Sequence, residues 1–153
     1  MQDSVRVKSA VKIMSEAVNF HYIVDGDDFT SAGEASVDVK RKLRQLGVDP
    51  AIIRRVSIAM YEGEVNMVIH AEGGTVDVDV FEDRIEIVLA DEGPGIANVE
   101  LAMQEGFSTA PDYVRSLGFG AGMGLPNMKS YTDDMKIDTK IGVGTTITMT
   151  VNL

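Results

Sequence analysis

Three groups of residues combine types and spacings that could handle an anion. Asp91-Glu92-Gly93-Pro94-Gly95 puts a carboxylate at the end of a strand-like run and opens onto glycines. Gly118-Phe119-Gly120-Ala121-Gly122-Met123-Gly124-Leu125 has glycine at every second position ahead of a helix-like run. That spacing clears side chains from the backbone, so its N–H groups can approach a phosphate. The helix that follows offers its N-terminus to the same charge. Upstream, Glu62 and Asn66 stand four apart in an apolar segment, which puts them on one helical face. Together the three groups point to a nucleotide pocket with its own catalytic carboxylate.

Each group also has a plainer reading. Ile58, Val65 and Ile69 share the stripe of Glu62, so the pair interrupts a packing surface. A carboxylate there suits a general base, and the amide oxygen of Asn66 is a hard ligand suited to Mg²⁺. E-x-x-x-N is common by chance, however, and for the pair alone a polar edge to the stripe, or a capping role near Gly73, is the favoured reading. Glu64 lies about 200° from Glu62 on the helix and is expected in solvent. Asp91 shares the parity of Ile85, Ile87 and Leu89, so it should end the inward face of its strand. There it could accept from the exocyclic amine of adenine, with Gly93 and Gly95 admitting the base; D-x-G is also ordinary turn chemistry. The glycine run is neither a P-loop nor a G-x-G-x-x-G dinucleotide turn, and a hinge remains its alternative. Thr145 has the parity of Ile147, Met149 and Val151, which would bring its hydroxyl to the base or simply fill a strand position. Arg115 could reach a terminal phosphate or lie in solvent. His21 and His70 are read as structural or exposed, and the nine methionines suit core packing.

The elements that must position these residues can be outlined from periodicity. Residues 17–24 read as a first strand, closed by Asp25-Gly26-Asp27-Asp28. Ser31 and Glu34 resemble a capping box, and Ala35, Val39, Leu43 and Leu46 recur at helical spacing up to Gly47. Asp49-Pro50 opens a long helix that runs to about Ala71 and stops at Gly73-Gly74. Strands follow at 75–81 and from Ile85 to Asp91. Residues 96–121 are too long and glycine-rich for a passive connector and are expected to form a lid. A helix over 122–131, a strand over 135–140, the Gly142-Val143-Gly144 turn and a strand over 145–153 complete the chain.

Composition limits the function further. The chain has 153 residues, enough for one domain with a core. Its 14 basic and 24 acidic residues give a net charge of −10, which disfavours nucleic acid and anionic membranes. An anionic nucleotide would need a divalent cation and backbone donors. There is no cysteine, hence no disulfide or thiolate site. No signal peptide or long apolar run is evident, so a cytoplasmic location is expected.

These blocks, in this order, resemble the Bergerat-fold (GHKL) ATP-binding superfamily of gyrase, Hsp90, histidine kinases and MutL. Glu62-x-x-x-Asn66 looks like its N box, Asp91-x-Gly93-x-Gly95 its G1 box and the run over 118–124 its G2 box. Gly142-Val143-Gly144-Thr145-Thr146 looks like its G3 turn. Within the superfamily the chain is most similar to the small serine/threonine kinases that act as anti-sigma factors or stressosome switch kinases. The segment from Tyr61 to Ala71 and the phrases Ser108-Thr109-Ala110-Pro111 and Arg115-Ser116 carry that likeness. It covers residues 16–153 as one ATP-binding domain and leaves residues 1–15 as an extension. The implied architecture is an α/β sandwich, a mixed and mostly antiparallel sheet with helices on one face.

The resemblance implies ATP and Mg²⁺ as cofactors. It implies Glu62 as general base, Asn66 as the Mg²⁺ ligand and Asp91 as the adenine reader, with Gly93 and Gly95 lining the base. Gly120, Gly122 and Gly124 would cradle phosphates, Arg115 would touch the γ-phosphate, and Thr145 would complete the base pocket. The implied partner is a STAS-domain anti-anti-sigma protein phosphorylated on serine. A sigma factor and a homodimer are further partners that the family allows. The rival function is a nucleotide-gated module that sequesters its partner with little catalysis. A detached histidine-kinase catalytic domain ranks below both. The G2 segment holds more glycine than sigma-binding members usually have, which favours the stressosome-kinase style.

Overall fold

A computed structural model describes residues 17–27, 29–104 and 124–153. Strand β1 (Val18–Asp25) leads through a 3-10 turn (Phe29–Ser31) into helices α1 (Glu34–Gln45) and α2 (Pro50–His70). Strands β2 (Gly73–Val80) and β3 (Arg84–Asp91) follow as a hairpin. The short helix α3 (Val99–Ala102) comes next, and beyond residues 105–123 the chain continues as α4 (Gly124–Ser130), β4 (Asp134–Lys140) and β5 (Gly144–Asn152).

The five strands lie in the order β1-β2-β3-β5-β4. A mixed, mostly antiparallel sheet is the expectation, and all four described pairings are antiparallel. The connections explain this. β2–β3 and β4–β5 are tight hairpins. Between β1 and β2 the α1–α2 hairpin returns the chain to the end it left, where Asp25 pairs with Gly73.

One face of the sheet is apolar and covered. Val76 and Val78 of β2, Ile85, Ile87 and Leu89 of β3, and Ile147, Met149 and Val151 of β5 join one cluster. Val39 and Leu43 of α1, Val56, Met60 and Met67 of α2, and Leu125 and Met128 of α4 cover it. The alternation expected from sequence is therefore the inward–outward alternation of the strands. α2 lies between its two helical neighbours, α1 on one side and α4 on the other.

Helix ends follow local chemistry. The Asp49 side chain accepts from Ala51 N at 2.8 Å with Pro50 in the first turn, as the sequence implies. Gly47 adopts φ +75°, so it can close α1 in the left-handed region. The expected capping box is not formed: Ser31 lies in the 3-10 turn, and the N-cap of α1 is Gly33, without a side-chain cap bond. Leu46 sits beyond the last turn and is 50% exposed, so it leaves the buried stripe.

Candidate nucleotide site

α2 lies close against the sheet at Gly63. A Cβ there would strike the Leu89 side chain. The two glutamates flanking this glycine leave the helix in different directions. Glu62 reaches toward α4, where Asn127 Nδ2 donates to its Oε1 at 3.2 Å. One turn on, Asn66 Nδ2 lies 4.0 Å from Met128 Sδ, also on α4. Both N-box side chains are half-buried, and Val65 between them is buried. The pair thus edges the α2–α4 seam, with Glu62 Oε2 and Asn66 Oδ1 free of hydrogen bonds from described residues.

Glu64 does not lie in solvent. It is 2% exposed, and its carboxylate accepts from the backbone N–H of Gly33 at 2.9 Å, Ala35 at 3.3 Å and Ser36 at 2.7 Å. The rotation of about 200° from Glu62 was sound, but α1 occupies that side. Glu64 supplies the acceptor that α1's own N-cap lacks. Burial pushes its carboxyl above the ordinary value, partly offset by the hydrogen bonds of Ser36, Gly33 and Ala35. The Ser31-Glu34 pattern concealed this need, because only the placed N-cap, Gly33, shows that the first N–H groups of α1 have no local side-chain cap.

Asp91 is the hub at the end of β3. Its Oδ1 accepts from Gly93 N at 2.9 Å and Thr145 N at 3.1 Å. These bonds fix the carboxylate and leave Oδ2 without a described partner. Thr145 is 7% exposed on the inward face. Its hydroxyl lies 2.8 Å from that of Thr139, which accepts from Ile96 N at 2.8 Å. An open depression of about 720 Å³ adjoins Asp91, Thr139 and Thr145 and runs over the turn at residues 142–144.

The glycines here are demanded by the protein itself. A Cβ on Gly93 would lie 2.7 Å from Ala71 Cβ at the end of α2. Gly95 has φ +82°, and a Cβ would meet the Lys140 carbonyl at 2.6 Å. Gly124 is backed by Asn66, with a Cβ only 2.7 Å from Nδ2. Their absence of side chains lets the G1 loop close onto α2 and the β4–β5 turn, and lets α4 close onto Asn66.

Arg115, Gly120 and Gly122, with most of the expected lid, lie outside the described residues. Asn127 is the residue that motif spacing missed, because nothing marks it in sequence until α4 is placed beside α2. His21 pairs with Asp77 at 2.7 Å on the outer sheet face, away from this end. Burial lowers the His70 imidazole.

The donor set fits a purine nucleotide with a divalent cation. Asp91 Oδ2 is a fixed, ionisable acceptor of the kind an exocyclic amine needs, while Asn66 presents a hard oxygen one helical turn from Glu62. Residues 28–151 match the family described as the histidine kinase-like ATPase domain, and the chain belongs to that family. It is 38% identical over 109 residues to an anti-sigma F factor of Clostridium acetobutylicum, across 67% of this chain and 73% of that protein. It is 29% identical over 144 residues to the serine/threonine-protein kinase RsbT of Bacillus subtilis, across 92% of each.

Among solved structures, the RsbU and RsbW domains of Rv1364c from Mycobacterium tuberculosis give a TM-score of 0.61 at 18% identity, over 88% of this chain and 32% of that one. The mycobacterial sensor histidine kinase MprB gives 0.51 at 20% identity, over 88% and 97%. These two likenesses carry the fold, the expected α/β sandwich. Among the described residues no helix is long and apolar enough to cross a membrane.

Proposed function

We propose that the chain is an ATP- and Mg²⁺-dependent protein serine kinase whose substrate is a STAS-domain regulatory protein. The carrying observation is the pair on α2: a half-buried carboxylate, Glu62, one turn from Asn66 and held by an amide on α4. The likeness to RsbT over 92% of both chains supports the same reading. Residues 16–153 form the ATP-binding domain in this proposal, with residues 1–15 as an extension.

Asp91 Oδ2 accepts from the adenine amine, oriented by the N–H groups of Gly93 and Thr145. Asn66 Oδ1 would hold Mg²⁺, which supplies charge neutralisation at the phosphates. Glu62 takes the serine hydroxyl proton. The serine oxygen forms a bond to the γ-phosphorus, the bond from that phosphorus to the bridging oxygen breaks, and its electron pair leaves with ADP. Labelled ATP-Mg²⁺ with a co-encoded STAS protein tests this; phosphoserine on the partner is the expected product, and an unmodified partner contradicts it.

A second reading rests on the 38% identity to an anti-sigma F factor. In that case the chain sequesters its partner under nucleotide control and needs no base. Tight ATP-dependent binding without added phosphate, across several STAS proteins, selects it.

A further inference from the structure

Asn127 has no part in the family boxes that the sequence displays. It stands in α4, on the turn that packs against the polar edge of α2. Three contacts converge there. Gly124 backs the Asn66 side chain, Met128 Sδ lies 4.0 Å from Asn66 Nδ2, and Asn127 Nδ2 lies 3.2 Å from Glu62 Oε1. The identity of the Asn127 atom follows from chemistry: an ionised carboxylate only accepts, so the group facing it must be the amide nitrogen. Glu62 Oε2 makes no hydrogen bond with described residues.

A glutamate side chain without a partner samples several rotamers, and a base that wanders loses rate. A neutral amide on one oxygen fixes the carboxylate without adding a charge. It also cannot take up the proton that the base must collect. We infer that Asn127 is a positioning residue for Glu62: its amide holds Oε1 and turns Oε2 toward the place where the substrate hydroxyl must lose its proton. This role rests on the kinase reading above and adds to it the residue that aims the base.

Asn127→Leu keeps approximate size and removes the donor. Asn127→Gln keeps an amide on a longer stem. Single-turnover phosphotransfer to the STAS protein is measured beside ATP-Mg²⁺ affinity and melting temperature. With Leu, transfer should fall roughly 10–100-fold while ATP affinity and partner KM hold. Gln should restore part of the rate. In a Glu62→Gln background the Leu change should have no further effect, since the group it aims is gone. A purely structural role would instead lower melting temperature and ATP affinity together, and would act in both backgrounds. Undiminished transfer in a folded Asn127→Leu chain overturns the inference alone. Wild-type protein that binds ATP yet transfers nothing overturns the kinase reading and, with it, the role of Asn127. Asn127→Ala is the second variant should Leu not fold.

Discussion

The side of α2 that faces α1 and the side that faces α4 each carry one carboxylate, two residues apart. On the α1 side Glu64 is 2% exposed and meets three backbone N–H groups, so its accepting capacity is spent on the fold. On the α4 side Glu62 is half-buried and meets one neutral amide, with its second oxygen free among described residues. Gly63 sets this division, because its closeness to Leu89 pins the helix to the sheet between the two. The same side chain on the same helix thus serves structure where donors surround it, and where they do not it keeps an accepting oxygen for the chemistry proposed above.

Changing Glu62 should give the largest effect, and on one quantity only. Glu62→Gln keeps shape and a hydrogen bond to Asn127 but removes the proposed base. Phosphotransfer should drop about 10²–10⁴-fold, with ATP affinity and melting temperature retained. Rapid-quench assays with calorimetry check both halves.

Glu64 should respond in the opposite sense. Glu64→Ala strips the acceptor from three N–H groups and opens a cavity between α1 and α2. The expected loss is about 3–5 kcal/mol of folding stability, read by denaturant unfolding. A loss under about 1 kcal/mol would mean that water replaces the carboxylate and the comparison fails.

Asp91 is next in size. In Asp91→Asn the amide can still accept at one atom but offers N–H where the adenine amine also donates. ATP binding should weaken by about 1.5–3 kcal/mol, roughly 10–100-fold. Unchanged affinity in a folded variant, measured by calorimetry, would remove Asp91 from the base pocket.

The smallest effect is in pH. Burial places the folded Glu64 value above the ordinary one of about 4.5, so the folded chain keeps this proton to higher pH. The stabilising contribution of that proton is fully present below the unfolded value and is lost as pH rises through the folded value. Wild-type melting temperature should therefore gain on that of Glu64→Gln as pH falls from neutral into the mildly acid range. Asp38 has the opposite sign. Hydrogen bonds from Tyr22, Arg41 and Lys42 hold it well below the usual carboxylate range, so its contribution fails only at more acid pH. Both chains keep Asp38, and the difference between them isolates Glu64.

The strands and the long helix were legible in the sequence because periodicity reports burial directly. Val76 and Val78 against Asp77 and Asp79, and Thr145 in phase with Met149, fall as the alternation implies. Asp49-Pro50 marked the start of α2 because its cap is local. What was not legible depends on neighbours distant in sequence. The place of Glu64 depends on α1, 28 to 31 residues away, and that of Asn127 on α2, 65 residues away. Periodicity gives the direction a side chain points, never what stands there. Glycine type leaves its cause open in a related way: Gly93 and Gly95 are each required by a close contact within the chain, Ala71 and the Lys140 carbonyl, whether or not they also line a ligand.

The division between the two carboxylates is tested most directly by one rate. Phosphotransfer per folded molecule from ATP-Mg²⁺ to the proposed STAS partner is measured for Glu62→Gln and Glu64→Gln side by side, at a temperature where both remain native. The expected result is transfer nearly abolished in Glu62→Gln and within a few-fold of wild type in Glu64→Gln, about 10² or more apart. Normal transfer by Glu62→Gln, or equal losses in both, would contradict it.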